Sequence, residues 1–231
     1  MITFSRRWCA ALLLALTAAL TSPAALAGER LTVVELFTSQ GCPRCPAADA
    51  YLAELAGRDD VLALGFHVDY WDYIGWRDPF ADAAHTERQR DYASHLGLSY
   101  VYTPQMMVDG MWQEVGSDRD ALEALIETAA SVERERLDVE LTPAGANRIR
   151  VRIAGDADAG AEVKLIRFDV SRTTVIAGGE NRGRELVNVN IVRDMRTIAT
   201  WDGRPLDMTV ATVAGGDACA VIVQEPGPGS I

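Results

Sequence analysis

The sequence is short of most features that announce a function unaided. Only four of its 231 residues are cysteine and three are histidine, so a four-ligand zinc site lacks convincing further ligands. It carries no internal repeat and no glycine-rich phosphate cradle. Past the first 27 residues, no stretch is long and uncharged enough to span a bilayer. Basic residues are few beside acidic ones, 22 against 33, for a formal net charge of −11. That balance argues against nucleic acid and against anionic membrane surfaces as partners.

What is present begins with an export signal. Arg6 and Arg7 form a basic n-region, Cys9 to Leu20 an apolar core, and Ala25-Leu26-Ala27 a small-residue cleavage site. Residues 1–27 therefore read as a signal peptide, and the protein as exported to the periplasm or secreted, with no integral membrane segment after cleavage. Cleavage removes Cys9 and two arginines, so −11 becomes about −13 and three cysteines remain: Cys42, Cys45 and Cys219. An oxidising compartment favours a Cys42–Cys45 bridge and leaves Cys219 over. Cys219 opens the apolar run Cys219-Ala220-Val221-Ile222-Val223 and is expected to be a buried, inert thiol.

The chain is organised around Val33 to Pro46. An apolar strand from Val33 to Phe37, interrupted only by Glu35, leads through a Gly41 turn to Cys42-Pro43-Arg44-Cys45. A helical pattern follows, with Ala48, Tyr51, Leu52 and Leu55 on one side and Gly57 stopping it. A cysteine at a helix N-terminus meets unpaired N–H groups and the positive end of the dipole. Those, and a nearby cation such as Arg44, lower a thiol pKa from about 8.5 into the range of about 3.5–7.5. Cys42 is assigned as nucleophile at the exposed end and Cys45 as resolving thiol. An inert disulfide, half a zinc site and chance spacing are the competing readings. Glu35 is either a buried acid that takes a proton from Cys45 or a strand-edge carboxylate reaching solvent or an arginine.

Two regions follow from the patterning. Residues 28–136 alternate strands with helices: a strand over 61–68, a helix over 78–95, a hairpin turning at Asp109-Gly110, and a helix opened by Ser117 and Asp120. Residues 137–231 show strand patterns only and end in a tail, 225–231, expected to be flexible. The expected fold is α/β, a first α/β domain followed by a small antiparallel β-sandwich-like domain. The aromatic stretch 69–76 is expected to pack as a loop or wall a groove, and His67 to be a satisfied core histidine, a metal ligand or a proton carrier. Residues 178–184 form a Gly- and charge-rich connector. It is either a solvated hairpin tip or a loop reaching over the dithiol with Arg182 or Arg184.

The C-x-x-C after a buried strand, with Thr103-Pro104 before the third strand, resembles a thioredoxin-fold oxidoreductase. The resemblance implies that the first domain is thioredoxin-like, that Pro104 is cis, and that Thr103 offers its backbone to a substrate cysteine segment. Over nearly the whole chain after residue 27, Glu35-Leu36-Phe37-Thr38-Ser39-Gln40-Gly41-Cys42, His67-Val68-Asp69-Tyr70-Trp71-Asp72, Gly179-Glu180-Asn181-Arg182-Gly183-Arg184 and Cys219-Ala220-Val221-Ile222-Val223-Gln224 resemble a bacterial family of secreted thioredoxin-like proteins, catalogued as a domain of unknown function. The implied function is thiol–disulfide exchange with protein or peptide thiols and disulfides, through Cys42, Cys45, Thr103, Pro104, Glu35 and Arg44, with no cofactor and no metal. Two alternatives stand beside it. One is a binding module with a structural disulfide; the other handles Cu(I) through its soft thiolates, with or without His67.

Overall fold

Strand β1 (Thr32–Thr38) is buried along its whole length, and its period-two alternation divides the protein into layers. Val34 and Leu36 face α1 (Cys45–Leu55) and α3 (Arg119–Ser131), while Val33 and Phe37 face α2 (Ala83–His95) on the opposite side. The computed structural model in which this is seen describes residues 31–132, 137–155, 160–212 and 217–231. The expected signal peptide and the junction at residue 136 lie outside them.

β1 pairs in parallel with β2 (Val61–His67) and antiparallel with β3 (Gln105–Val108), which turns back into β4 (Trp112–Val115). Asp109 and Gly110, at φ 47° and 69°, are the left-handed centre of that turn, closed by Met111 N donating to Val108 O at 3.0 Å. Beyond β2 the sheet continues through β8 (Glu185–Thr200), β7 (Glu162–Val175) and β10 (Ala218–Gln224), giving seven strands in the order β10-β7-β8-β2-β1-β3-β4. Three further strands, β5 (Leu137–Pro143), β6 (Arg148–Gly155) and β9 (Leu206–Ala211), form a separate antiparallel sheet. The architecture is thus mixed α/β, a large mixed sheet with a smaller antiparallel one.

The large sheet takes strands from both sides of residue 136. The join is β2 to β8, in parallel, with Gly65 opposite Ile191. A Cβ on Gly65 would stand 3.2 Å from the Val189 carbonyl oxygen, so the missing side chain lets the two backbones approach. The smaller sheet packs Val151 and Ile153 against Val163, with Val221 and Val223 alongside. The expected sandwich therefore takes one layer from the large sheet.

Three local expectations are corrected. Helix α2 starts at Ala83, not residue 78, because Asp82 caps it by accepting from Ala84 N at 2.9 Å. Asp118, not Ser117, caps α3, accepting from Ala121 N at 3.2 Å. The tail is not free: Ile231 N donates to Asp109 O at 3.1 Å, Gln224 Nε2 donates to Gly229 O at 3.0 Å, and Ile231 packs on the α2-side core. Among the described residues, no helix is long and apolar enough to cross a membrane.

Candidate functional site

The chain leaves β1 through a turn that Ser39 closes twice, accepting from Gly41 N on Oγ (3.1 Å) and from Cys42 N on its carbonyl oxygen (3.1 Å). Gly41 is tightly packed there: a Cβ would stand 3.2 Å from Trp71 Cβ. Cys42 and Cys45 follow and are disulfide-bonded, with Cα atoms 5.4 Å apart. Cys45 is the first residue of α1, exposed Arg44 is its N-cap, and Pro46 stands in its first turn.

Cys42 does not sit at an exposed end. It is 1% exposed and Cys45 0%, because two loops close around the turn. The aromatic loop 69–76 lies on one side. Trp71 Nε1 donates to Thr103 Oγ1 at 2.7 Å, and Trp76 Nε1 donates to Gln40 Oε1 at 3.1 Å. The connector 178–184 lies on the other. Its Asn181, itself buried, donates from Nδ2 to the carbonyl oxygens of Gln40 and Cys42, both at 2.9 Å. Arg182 and Arg184 are exposed, so an amide rather than a guanidinium reaches the dithiol turn.

The Thr103–Pro104 peptide is cis. Pro104 O accepts from Gly116 N at 3.0 Å, and a Cβ on Gly116 would lie within 3.2 Å of both Pro104 Cβ and Ala48 Cβ. The Thr-Pro segment is thereby seated close to α1, beside the residue three positions after Cys45, while Trp71 ties Thr103 to the wall of the dithiol turn.

The acid on the dithiol side of the sheet is Asp49, not Glu35. Glu35 pairs across the strands with Leu64 and Met107, and so shares their α2 face. There it is clamped by Arg88, which donates from Nε at 3.0 Å and Nη2 at 2.8 and 2.9 Å, and by Tyr92 Oη at 2.5 Å. One strand position decides this, since neighbouring side chains point to opposite faces. Thr38 points the other way, and its hydroxyl donates to Asp49 Oδ1 at 2.8 Å. Asp49 lies one helical turn beyond Cys45, is 6% exposed, and leaves Oδ2 without a hydrogen-bond partner. Burial raises its pKa from 3.8 to about 6, against the pull of the His67 charge and the Thr38 hydroxyl. The sequence does hold a signal for this residue: an acid inside the apolar stripe Ala48, Tyr51, Leu52, Leu55, four positions after a cysteine.

His67 stands opposite Thr38 in the β1–β2 register, on the same face. It is a satisfied core histidine: Nδ1 lies 2.7 Å from Asp78 Oδ2. That carboxylate also accepts from Gln40 N at 2.7 Å and Phe80 N at 2.9 Å. Burial opposes ionisation of Asp78, but the His67 charge and these hydrogen bonds outweigh it and hold the group below its ordinary range. Asp78 thus fixes the turn two residues before Cys42. Among the described residues, no three His, Cys, Asp or Glu side chains are grouped to hold a metal ion. Cys219 is half-buried rather than buried, its thiol pushed up by partial burial.

The site therefore combines a disulfide at a strand–helix junction, a buried carboxylic acid one turn behind it, and a cover of two loops. Comparison with curated proteins finds no match. A crystal structure of a protein from Agrobacterium tumefaciens, solved by a structural genomics consortium, is similar to this chain. The two are 31% identical with a TM-score of 0.76, over 87% of this chain and 91% of the other. The model of a protein family of unknown function, DUF1223, matches residues 33–224, from the first buried strand to Gln224 of the last. By that match, the chain belongs to the DUF1223 family.

Proposed function

We propose that this protein is an exported thiol–disulfide exchange protein of thioredoxin type, working through Cys42 and Cys45. The strand order β2-β1-β3-β4, with β1 and β2 parallel and α1 following β1, supports the thioredoxin-type reading, as does the Thr103-Pro104 segment beside α1. The signal-like residues 1–27 support export to the periplasm or medium. Fold alone carries no reaction; Asp49 carries this one.

A structural disulfide needs no proton carrier beneath it. Helix positions four apart place their Cβ atoms about 5–6 Å apart, so Asp49 sits within reach of the Cys45 sulfur through a small rearrangement. In the exchange, a partner thiolate attacks Cys42 Sγ and forms an intermolecular disulfide. The Cys42–Cys45 bond breaks, and its electron pair leaves on Cys45 Sγ, which takes the proton from the Asp49 carboxyl. The partner's second thiol then attacks the partner sulfur of the mixed disulfide, forming the partner's own S–S bond; the bond to Cys42 breaks, and the thiol's proton passes to the departing Cys42 sulfur. The partner ends oxidised and Cys42 and Cys45 reduced; the reverse sequence returns Asp49 its proton. A carboxyl with pKa about 6 both gives and takes a proton near neutrality.

The burial of Cys42 favours a second reading, a binding module that carries a stable disulfide. Trapping separates the two. With Cys45→Ser, a cysteine-containing polypeptide should accumulate as a mixed disulfide through Cys42, and with Cys42→Ser it should not. No adduct with either variant would leave the binding-module reading standing.

A further inference from the structure

The exchange reading leaves a question of access, since the attacked sulfur belongs to a residue only 1% exposed. Resting on that reading, we propose that Asn181 is the specificity-determining residue of the dithiol. It occupies two main-chain acceptors that a substrate polypeptide takes over with its own N–H groups. The partners selected are extended polypeptides, not small thiols that cannot replace those donors.

Asn181 spends both hydrogens of its amide on the carbonyl oxygens of Gln40 and Cys42. Its Oδ1 is buried and meets no donor. The nitrogen side is saturated and the oxygen side empty, so the contact holds the loop without locking it: an unpaired buried acceptor weakens the closed arrangement. The rest of the cover is a seam of glycines. A Cβ on Gly178 would collide with the Gly75 carbonyl oxygen, and one on Gly179 would stand 3.1 Å from Trp76 Cβ. Close backbone packing with no interlocking side chain is a surface along which two loops separate cleanly.

The connector can also move as a unit. It is the tip of the β7–β8 hairpin, closed at its base by Ile176 N to Arg184 O (2.9 Å) and Gly183 N to Ile176 O (2.8 Å). Withdrawing Asn181 bares Gln40 O and leaves Cys42 O with only the longer bond from Cys45 N at 3.3 Å, two acceptors flanking the site of attack. Each carbonyl loses the Asn181 hydrogen bond on opening, so a partner that restores both bonds holds the site open. An extended chain presents N–H groups at main-chain spacing for this; dithiothreitol has only two hydroxyls, set between its own thiols.

The test uses the oxidised full-length mature protein, with dithiothreitol as the small thiol and reduced, unfolded ribonuclease A as the polypeptide. Loss of the Cys42–Cys45 bond is followed by alkylation and mass at equal thiol concentration. Asn181→Ala should react with dithiothreitol about tenfold faster than wild type, the effect of losing two neutral hydrogen bonds from the closed state. The ratio of polypeptide to dithiothreitol rates should fall by a similar factor. Gly178→Ala, which props the seam apart without touching Asn181, should shift the ratio in the same direction. Wild-type dithiothreitol rates in both variants would overturn the proposal, as would a wild-type protein that reacts with dithiothreitol as readily as with the polypeptide. No polypeptide exchange by any of the three proteins, with the dithiothreitol rates still separated, would overturn the exchange reading and the choice of partner, and leave Asn181 a cover only.

Discussion

Replacing Asp49 with Asn tests, through stability alone, whether Asp49 titrates where a proton carrier of this dithiol must. In the folded protein the Asp49 carboxyl binds its proton about two pH units more tightly than in the unfolded chain, about 6 against 3.8. At 1.36 kcal/mol per unit this is about 3 kcal/mol. For an acid whose folded pKa is raised, the folded state holds more protons than the unfolded one between the two values, so stability falls as pH rises through that window and levels off above it. Asp49→Asn cannot ionise and removes the trend. The difference in unfolding free energy, wild type minus variant, should therefore drop by about 3 kcal/mol from about pH 3.5 to about pH 7.5. Altered hydrogen bonding of the new amide adds an offset without pH dependence, so the slope carries the test. Asp78, depressed and present in both proteins, contributes the opposite trend to each curve. Urea unfolding with the disulfide intact, across that range, measures the difference. Parallel curves would show that Asp49 does not titrate where its burial places it, and the proton-carrier assignment would fail.

The other face of the sheet gives a contrasting expectation. Glu35→Gln leaves the Arg88 guanidinium buried without its counter-charge and should cost about 3–5 kcal/mol in urea unfolding. Its exchange rate should stay within about twofold of wild type; slowing to match Asp49→Asn would return the acid role to Glu35. Gly110→Ala forces a side chain into the left-handed region at φ 69° and against the Gly229 carbonyl. It should cost at least about 1 kcal/mol and increase cleavage within residues 225–231 on limited proteolysis; protection equal to wild type would mean the tail is not held at that turn.

Local signals in the sequence carried far. Continuous apolar character marked β1, the Asp109-Gly110 pair marked the β3–β4 hairpin, and the C-x-x-C fell where a strand becomes a helix. Each depends on neighbours in the chain, which is what composition and periodicity report. Pairing between distant segments was not legible. The joining of β8 to β2 turns on Gly65, a residue whose contribution is a missing side chain, and nothing local says which backbone approaches it. The two acids show the same limit. Glu35 stood out because it interrupts an apolar run, yet strand alternation turns it away from the cysteines. Asp49 hid inside a helix, where only its offset from Cys45 gave it away. Asn181 read as part of a charged hairpin tip, because its two acceptors lie about 140 positions away in the chain.

The most direct test of a working dithiol is its reduction potential. The purified protein, oxidised and reduced, is equilibrated against dithiothreitol and glutathione couples of graded ratio, and the Cys42–Cys45 state is read by alkylation and mass. An exchanging pair should titrate reversibly, with a midpoint between about −270 and −120 mV, the span of known exchange proteins. A midpoint below about −300 mV, or a bond that yields only when the protein unfolds, would make the disulfide structural and contradict the account.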